Sequence, residues 1–348
     1  MLRFRMLLPI FAAAALNACG GGSGSGGGAI GNVNPPVVSG PLLIITAENA
    51  EQTSGEVINA LEGAFGAGDS ALDFGGALGA RVEADTAAAS TLALDIAQSA
   101  RDKVVSAADS VAIGAIITET EDCTAGGSTT VSIDTGSMSQ VEFSEALQEG
   151  QIPAGTSVTM RFDDCMQPGQ PTLSGGFTVV FQQFTVDGEI GLDAMTLEFS
   201  ASFDALSTPE GTINGDISFL LVSDAGTTSI EIFGDGLSFA STTDTLALLE
   251  YLVSAFQDSV ALVESFDFTL NISSLGQVTV QGVEPWRTNN FAEYPSSGAL
   301  RISGADGTSI TVTALDEVSV QLEVDSDGDN VANVTIITTW VELNAAEG

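Results

Sequence analysis

The sequence predicts a mainly β protein with N-terminal helices, an α+β fold in which an antiparallel β-meander forms a curved sheet or a sandwich. Three observations predict it. From about residue 129 onward, apolar and polar residues alternate with a period of two, which is typical of strands with one buried face. Turn dipeptides such as Asp-Gly interrupt this pattern at short intervals. An alanine-rich stretch before it has apolar residues at helical spacing, so we expect two helices to cover one face of the sheet.

The composition suits a folded chain and excludes several classes of function. The 348 residues are 44% hydrophobic and carry 46 acidic against 8 basic side chains, a formal charge of −38. So negative a chain repels phosphate backbones, which excludes nucleic acid as a partner. The chain has no histidine, which excludes a histidine-based catalytic triad and a zinc site that contains histidine. Because no other catalytic motif is recognisable, we expect no enzyme activity.

The first 18 residues have the organisation of an export signal. Arg3 and Arg5 supply positive charge, and residues 6–16 form an apolar run. A helix needs about 20 apolar residues to span a bilayer, so this run is too short for a stable anchor. We therefore predict that residues 1–18 are a signal peptide that is removed.

A lipidation motif stands at the end of the apolar run. It reads Leu16-Asn17-Ala18-Cys19 and resembles the lipobox of bacterial lipoproteins. The resemblance implies that Cys19 carries a diacylglycerol and an acylated amino group, which hold the mature chain in a membrane. Gly20 follows the cysteine in place of the Asp that favours inner-membrane retention, so the resemblance implies an outer-membrane location. The alternative is an ordinary export signal followed by an incidental cysteine.

Residues 19–40 are predicted to be a tether. Residues 20–31 are mostly Gly and Ser, a composition that behaves as a random coil and spans roughly 20 Å root-mean-square. Pro35 and Pro36 stiffen its end. We expect the folded body to hang from the lipid anchor by this segment.

Residues 41–118 form the predicted helical segment. It opens with a short apolar strand over residues 42–46, and two stretches with apolar stripes at helical spacing follow. A glycine-rich stretch over residues 66–79 joins them. The stripes consist of Val57, Ile58, Leu61, Ala64 and Phe65 in the first helix, and of Leu92, Ile96, Val104, Ala108 and Val111 in the second.

Residues 119–348 form the predicted β-rich domain, which packs with the helical segment and has roughly a dozen strands. The run over residues 246–256 fits either a short helix or a buried strand, and its neighbours favour a strand. Strand-like alternation covers residues 158–162, 177–186, 195–205, 213–221, 266–272, 310–312 and 318–324. The predicted hairpin turns are Asp187-Gly188, Asn214-Gly215, Asp235-Gly236, Asp306-Gly307 and Asp327-Gly328.

Two cysteines remain once Cys19 is lipidated. Cys123 and Cys165 form an even pair in a chain that is exported to an oxidising compartment, which predicts one disulfide. The alternative, a redox-active pair, lacks the Cys-x-x-Cys spacing of such sites.

The sharpest local motif consists of Asp325, Asp327 and Asp329 around a glycine. Carboxylates at alternate positions of a turn can converge on a hard cation, so one interpretation is a calcium site whose shell Asn333 or a backbone carbonyl completes. The other interpretation, which we favour, is a hairpin turn that uses Asp and Gly only for their turn geometry. Calcium is the sole cofactor that the sequence suggests.

This motif departs from the EF-hand loop at two positions. Asn330 stands where the invariant glycine belongs, and Ile336 occupies the twelfth position, which should supply a bidentate glutamate. An EF-hand is therefore excluded.

Trp286 and Trp340, with Tyr251 and Tyr294, admit two interpretations. Aromatic rings can stack on a sugar, but large rings more often pack in a core. We favour core packing.

These observations predict a lipid-anchored envelope protein that acts as a non-enzymatic binding or interaction module. Its partners are the membrane, through the N-terminal lipid, and either an apolar ligand held between sheet and helices or another envelope component. The alternative is a calcium-stabilised adhesive or matrix module at the cell surface. The first rests on the likeness of the fold class to known folds and not on a catalytic or binding motif. The second rests on the acidic charge and on the turn at residues 325–330.

Overall fold

The computed structural model describes residues 40–65, 116–136, 138–149, 151–166, 172–186, 194–209, 211–224, 227–241, 245–289 and 292–345. Four predicted features lie wholly or mostly outside the described residues: the signal peptide at residues 1–18, the lipidated Cys19, the tether at residues 19–40 and the second helix at residues 92–111. The predicted turn Asp187-Gly188 also lies outside them.

The described strands form one antiparallel sheet of 15 strands, and their order in the sheet follows the chain. The strands are β1 (Ile116–Asp122), β2 (Gly126–Asp134), β3 (Gln151–Ile152), β4 (Ser157–Met166), β5 (Leu173–Val186), β6 (Met195–Thr208), β7 (Gly211–Asp224), β8 (Thr227–Ser241), β9 (Thr245–Gln257), β10 (Ala261–Ile272), β11 (Gly276–Asn289), β12 (Ser297–Ser303), β13 (Ser309–Ala314), β14 (Ser319–Asp325) and β15 (Val334–Thr339). Only β3 leaves this path, because it pairs with β5. The prediction of a mainly β fold built on an antiparallel meander is confirmed, and residues 246–256 lie in a strand as expected.

The core lies on one face of the sheet, which we call the dry face. In β6 the burial alternates along the strand, with Met195, Leu197 and Phe199 buried and the residues between them more exposed. Cross-strand neighbours on the same face also meet, because the ring of Phe199 lies 6.4 Å from that of Phe181 and 5.2 Å from that of Phe219. Apolar residues of successive strands therefore form continuous rows on this face.

Three helices accompany the sheet in the described part of the chain: α1 (Ala50–Phe65), α2 (Gln140–Gln148) and α3 (Trp340–Asn344). The first predicted helix is confirmed as α1, and its buried stripe includes Val57, Ile58 and Leu61. This helix contacts β13, β14 and α3. None of these helices has both the length and the hydropathy that a membrane crossing requires.

The predicted strand over residues 42–46 is wrong. Only an isolated parallel bridge joins Leu42 to Gln277 of β11. The next residues turn into α1 instead, because the side chain of Asn49 accepts a hydrogen bond from the Thr46 amide (2.8 Å) and donates one to the Ile44 carbonyl (3.0 Å). A local side-chain cap thus replaces the strand pairing that the apolar residues suggested.

Two of the predicted hairpin turns are also wrong. Asn214-Gly215 lies inside β7 and Asp235-Gly236 lies inside β8. Gly215 has a φ of +112°, and a side chain there would meet the carbonyl of Gly236 on the next strand. The register shifts close by, between Asp216 and Ser218, so these glycines serve a β-bulge instead of a turn. Asp306-Gly307 and Asp327-Gly328 do lie between strands, as predicted.

Helices α2 and α3 were not predicted, although both carry a recognisable start signal. Glu142 accepts hydrogen bonds from the amide and hydroxyl of Ser139, and Ser139 accepts one from the Glu142 amide. Thr339 and Glu342 form the same reciprocal capping box at the start of α3. Strand β15 therefore ends at Thr339, because this cap begins a helix there.

Candidate functional site

The candidate site is the turn between β14 and β15. One carboxylate oxygen from each of Asp325, Asp327 and Asp329 lies within 4.8 Å of the others. Asp325 ends β14 and is only 4% exposed, whereas Asp327 and Asp329 are exposed. The structure therefore brings together the three carboxylates that the sequence singled out.

The carboxylate of Asp325 holds the turn together by accepting hydrogen bonds from its backbone. Its Oδ1 accepts a hydrogen bond from the Gly328 amide and its Oδ2 accepts one from the Asn330 amide, both at 2.8 Å. Burial of this carboxyl favours its neutral form, but the hydrogen bonds from these amides and from the Asp329 amide outweigh that effect and lower the pKa of Asp325. The carboxylate is therefore ionised at neutral pH and holds the turn around itself.

The backbone of the turn needs left-handed conformations at two positions. Gly328 has a φ of +75°, and a side chain there would meet the backbone carbonyl of Asp306 in the neighbouring β12–β13 turn. Asn330 has a φ of +65°. Asparagine tolerates this region better than most residues. The departure from the glycine of an EF-hand loop at position 330 thus preserves the backbone shape that glycine supplies there.

Asn333 closes the turn, and its side-chain oxygen is engaged with Ser326. Its Oδ1 accepts hydrogen bonds from the amide (2.7 Å) and the hydroxyl (3.0 Å) of Ser326. Ile336 lies in β15 opposite Leu322 and has no oxygen to offer, so the exclusion of an EF-hand stands. The oxygens gathered in one place are those of the three aspartates.

Arg301 supports the turn from β12 and was not foreseen. Its Nη2 donates hydrogen bonds to the Oδ1 of Asn330 and to the Oγ of Ser309, both at 3.0 Å. The antiparallel pairing of β12 with β13 and of β13 with β14 places Arg301 beside a turn that lies 24 to 32 residues further along the chain. No local pattern in the sequence indicates this contact.

Cys123 and Cys165 form a disulfide, as their even number predicted, with their Cα atoms 5.5 Å apart. Both residues are buried. The hydroxyl of Thr129 lies 3.3 Å from each sulfur. The bond joins the β1–β2 hairpin to β4, which is the position of a structural link. Cys19 lies outside the described residues.

The aromatic residues that admitted a sugar-binding interpretation lie in the core. Trp340 is 1% exposed, Trp286 is 6% exposed and Tyr251 is buried as well. Tyr294 is less buried, but its ring stacks on that of Trp340 at 6.0 Å. Trp286 and Tyr294 both pack against Trp340, and Tyr251 is buried, so core packing describes these residues better than a stacking platform.

An open groove of about 680 Å³ lies beside α2. The residues that line it include Met138, Ala146, Pro153, Thr135, Glu142 and Gln151. Its lining mixes apolar and polar side chains, and Glu142 is already engaged in the helix cap.

No family model, curated protein or solved structure matches this chain.

Proposed function

We propose that this chain is a lipid-anchored protein of the bacterial cell envelope, placed in the outer membrane by acyl chains on Cys19. The observation that carries the proposal is the motif Leu16-Asn17-Ala18-Cys19 at the end of an apolar run and directly before a Gly/Ser tract. Two or more acyl chains hold a protein firmly in a leaflet, whereas one chain binds only marginally. A formal charge of −38 gives the chain no attraction to anionic headgroups, so the lipid must supply the attachment.

The body of the protein then acts as a non-enzymatic binding or interaction module, for an apolar ligand or for another envelope component. Support comes from the long apolar rows on the dry face and from α1, which packs against that part of the sheet formed by β13 and β14. We propose that a second helix, at residues 92–111, extends this cover. A ligand held between helices and sheet would contact the same rows.

The anchor is tested with Cys19→Ala. We expect the full-length variant to move from the membrane fraction to the soluble fraction, because the proposal assigns membrane attachment to Cys19 alone. The matched control is the double variant Cys123→Ser/Cys165→Ser, which also removes cysteines and should stay with membranes. Mass spectrometry of the wild-type N-terminal peptide should find an acylated cysteine; an unmodified thiol there contradicts the proposal.

A second candidate function is a calcium-stabilised adhesive or matrix module. The observation that favours it is the approach of the three aspartate carboxylates to within 4.8 Å of one another in the β14–β15 turn. Carboxylate oxygens are the ligands that calcium prefers. The hydrogen bonds that Asp325 accepts and the contact of Arg301 with Asn330 hold the turn in one shape, which reduces the ordering cost of binding.

Calcium titration tests this second candidate. A cation that binds only the folded chain stabilises it by about 2.7 kcal/mol at one hundred times its dissociation constant, so the melting temperature should rise by several degrees. Asp327→Ala should abolish that rise. Glu323→Ala is the matched control, because it removes the same charge from β14 and should leave the rise intact. A melting temperature that ignores calcium in the wild type eliminates this candidate.

A further inference from the structure

A carboxyl group lies on the dry face where β10 meets β11. Glu264 is directly opposite Trp286 in the register of these two strands. Strand alternation places Glu264 on the same face as Phe266 and Phe268, both of which are buried. Its side chain is half-buried, whereas acidic residues normally stand on the wet face of a sheet.

The neighbour of this carboxyl has an unused hydrogen-bond donor. Trp286 is 6% exposed, and its indole N–H has no hydrogen-bond partner in the described part of the chain. The indole is held instead by rings, with Phe266 at 5.2 Å and Trp340 at 5.5 Å, both edge to face. Tyr294 stacks on Trp340 in turn. We call these four rings the aromatic cluster.

The aromatic cluster connects the sheet to the C-terminal helix. Trp340 is the first residue of α3, and its indole N–H donates to the carbonyl of Asp316 at 3.2 Å. Helix α3 in turn contacts α1. A movement of the Trp286 ring therefore reaches α3 directly, through its contact with Trp340.

No described cation compensates for a charge on Glu264. Opposite it on β9 is Ala255, and Arg287 is opposite Val263 and so points to the other face of the sheet. The titratable or charged groups on the surrounding elements are Glu250 and Tyr251 on β9, Asp258 after it, Asp267 on β10, Glu284 and Arg287 on β11, Glu293 and Tyr294 before β12, and Glu342 on α3. Burial alone raises the pKa of Glu264, to about 7. A carboxylate in this place faces, across the strand pair, a tryptophan whose indole N–H has no partner among the described residues.

We propose that Glu264 and Trp286 form a pH-sensitive switch, in which loss of the Glu264 proton to solvent loosens the aromatic cluster that fastens α3 to the sheet. The neutral acid is tolerated beside the rings. The carboxylate draws the indole N–H toward itself, because a buried charge without a partner is unfavourable. This movement disturbs the contact between Trp286 and Trp340.

The direction of the pH effect follows from the raised pKa. Since the folded-state pKa of about 7 lies above the ordinary value of 4.5, the folded state holds the proton more tightly than the unfolded state. The contribution of the protonated pair to the stability of the folded state is present in full below pH 4.5. It is lost progressively as the pH rises to about 7 and is absent above that.

Tryptophan fluorescence tests the switch, because both tryptophans of the chain belong to the aromatic cluster. We expect the emission of the full chain to change with pH in a one-proton transition with a midpoint near 7. Glu264→Gln should remove this transition. Asp267→Asn is the matched control, since Asp267 is exposed on the other face of the same strand, and it should keep the transition.

Two further measurements separate a switch from a purely structural role. Near-ultraviolet circular dichroism of the wild type should show the same midpoint, and Trp286→Phe should move it to higher pH because the carboxylate loses its donor. Trp340 remains as the reporter in that variant. Wild-type emission that is flat from pH 5 to 9, a transition that survives in Glu264→Gln, or an unchanged midpoint in Trp286→Phe overturns the proposal.

Discussion

Replacing Cys123 and Cys165 by serine should lower the free energy of unfolding by about 4 kcal/mol. The disulfide links residues 42 positions apart, and in the chain-entropy account its stabilising effect comes from the conformations that it removes from the unfolded chain. The closed loop contains β2, α2 and β3, so these elements are held in place from both ends. Urea denaturation followed by far-ultraviolet circular dichroism measures the loss.

The wild type under reducing agent is the matched control for this variant. Reduction should lower the stability of the wild type to that of the double variant, and the double variant itself should not respond to the reductant. Because both sulfurs are buried, we expect reduction of the folded wild type to be slow. A loss below about 1 kcal/mol would contradict the role of the bond as a main link at this end of the sheet.

Phe199→Ala should lower the free energy of unfolding by about 3–5 kcal/mol, the range for truncating a buried phenylalanine. Phe199 is 1% exposed and lies between Phe181 and Phe219 on the dry face. Its removal leaves a cavity in the middle of a row of rings and takes away two ring contacts at once. The same urea experiment measures the effect.

Phe233→Ala is the matched control, since it removes the same side chain from a neighbouring part of the sheet. Phe233 lies on β8 and is 41% exposed. We expect its truncation to cost less than about 1 kcal/mol. Similar losses for the two variants would mean that the two faces of the sheet do not differ as the burial pattern indicates.

The strands could be predicted because their signal is local. Alternation such as that of Met195, Leu197 and Phe199 reports directly which side chains share a face, and most of the predicted strands lie within observed ones. Helix α2 could also have been predicted from the spacing of Ser139 and Glu142, but the surrounding β pattern obscured it. The sequence predicts a structural element well when the residues that contact each other in it lie within four positions along the chain.

Turns were predicted less well, because the same dipeptide serves two purposes. Asp327-Gly328 connects β14 to β15, whereas Asn214-Gly215 lies in the middle of β7. Glycine relieves crowding both in a turn and where two strand backbones approach closely at a bulge. Only the adjoining strand, with Gly236 packed against Gly215, distinguishes the two cases.

One part of the candidate cation site could be predicted from nearby residues, and another part depends on the tertiary structure. The spacing of Asp325, Asp327 and Asp329 is a property of the sequence, and a tight turn brings such residues together. The contact of Arg301 with Asn330 depends on the register of three strands. No pattern of nearby residues could have predicted it.

By itself, the sequence determined the period-two strands, the helix α1, the pairing of the last two cysteines and the clustering of carboxylates in one turn. Most of these features follow from contacts between residues that are close in the chain. The disulfide follows because only two cysteines remain once Cys19 is set aside. The tertiary structure alone decided that Glu264 lies opposite Trp286, whose indole N–H has no partner among the described residues, and that Arg301 contacts a distant turn. Burial and cross-strand register arise only when strands far apart in the chain come together, since desolvation and pairing depend on neighbours in space.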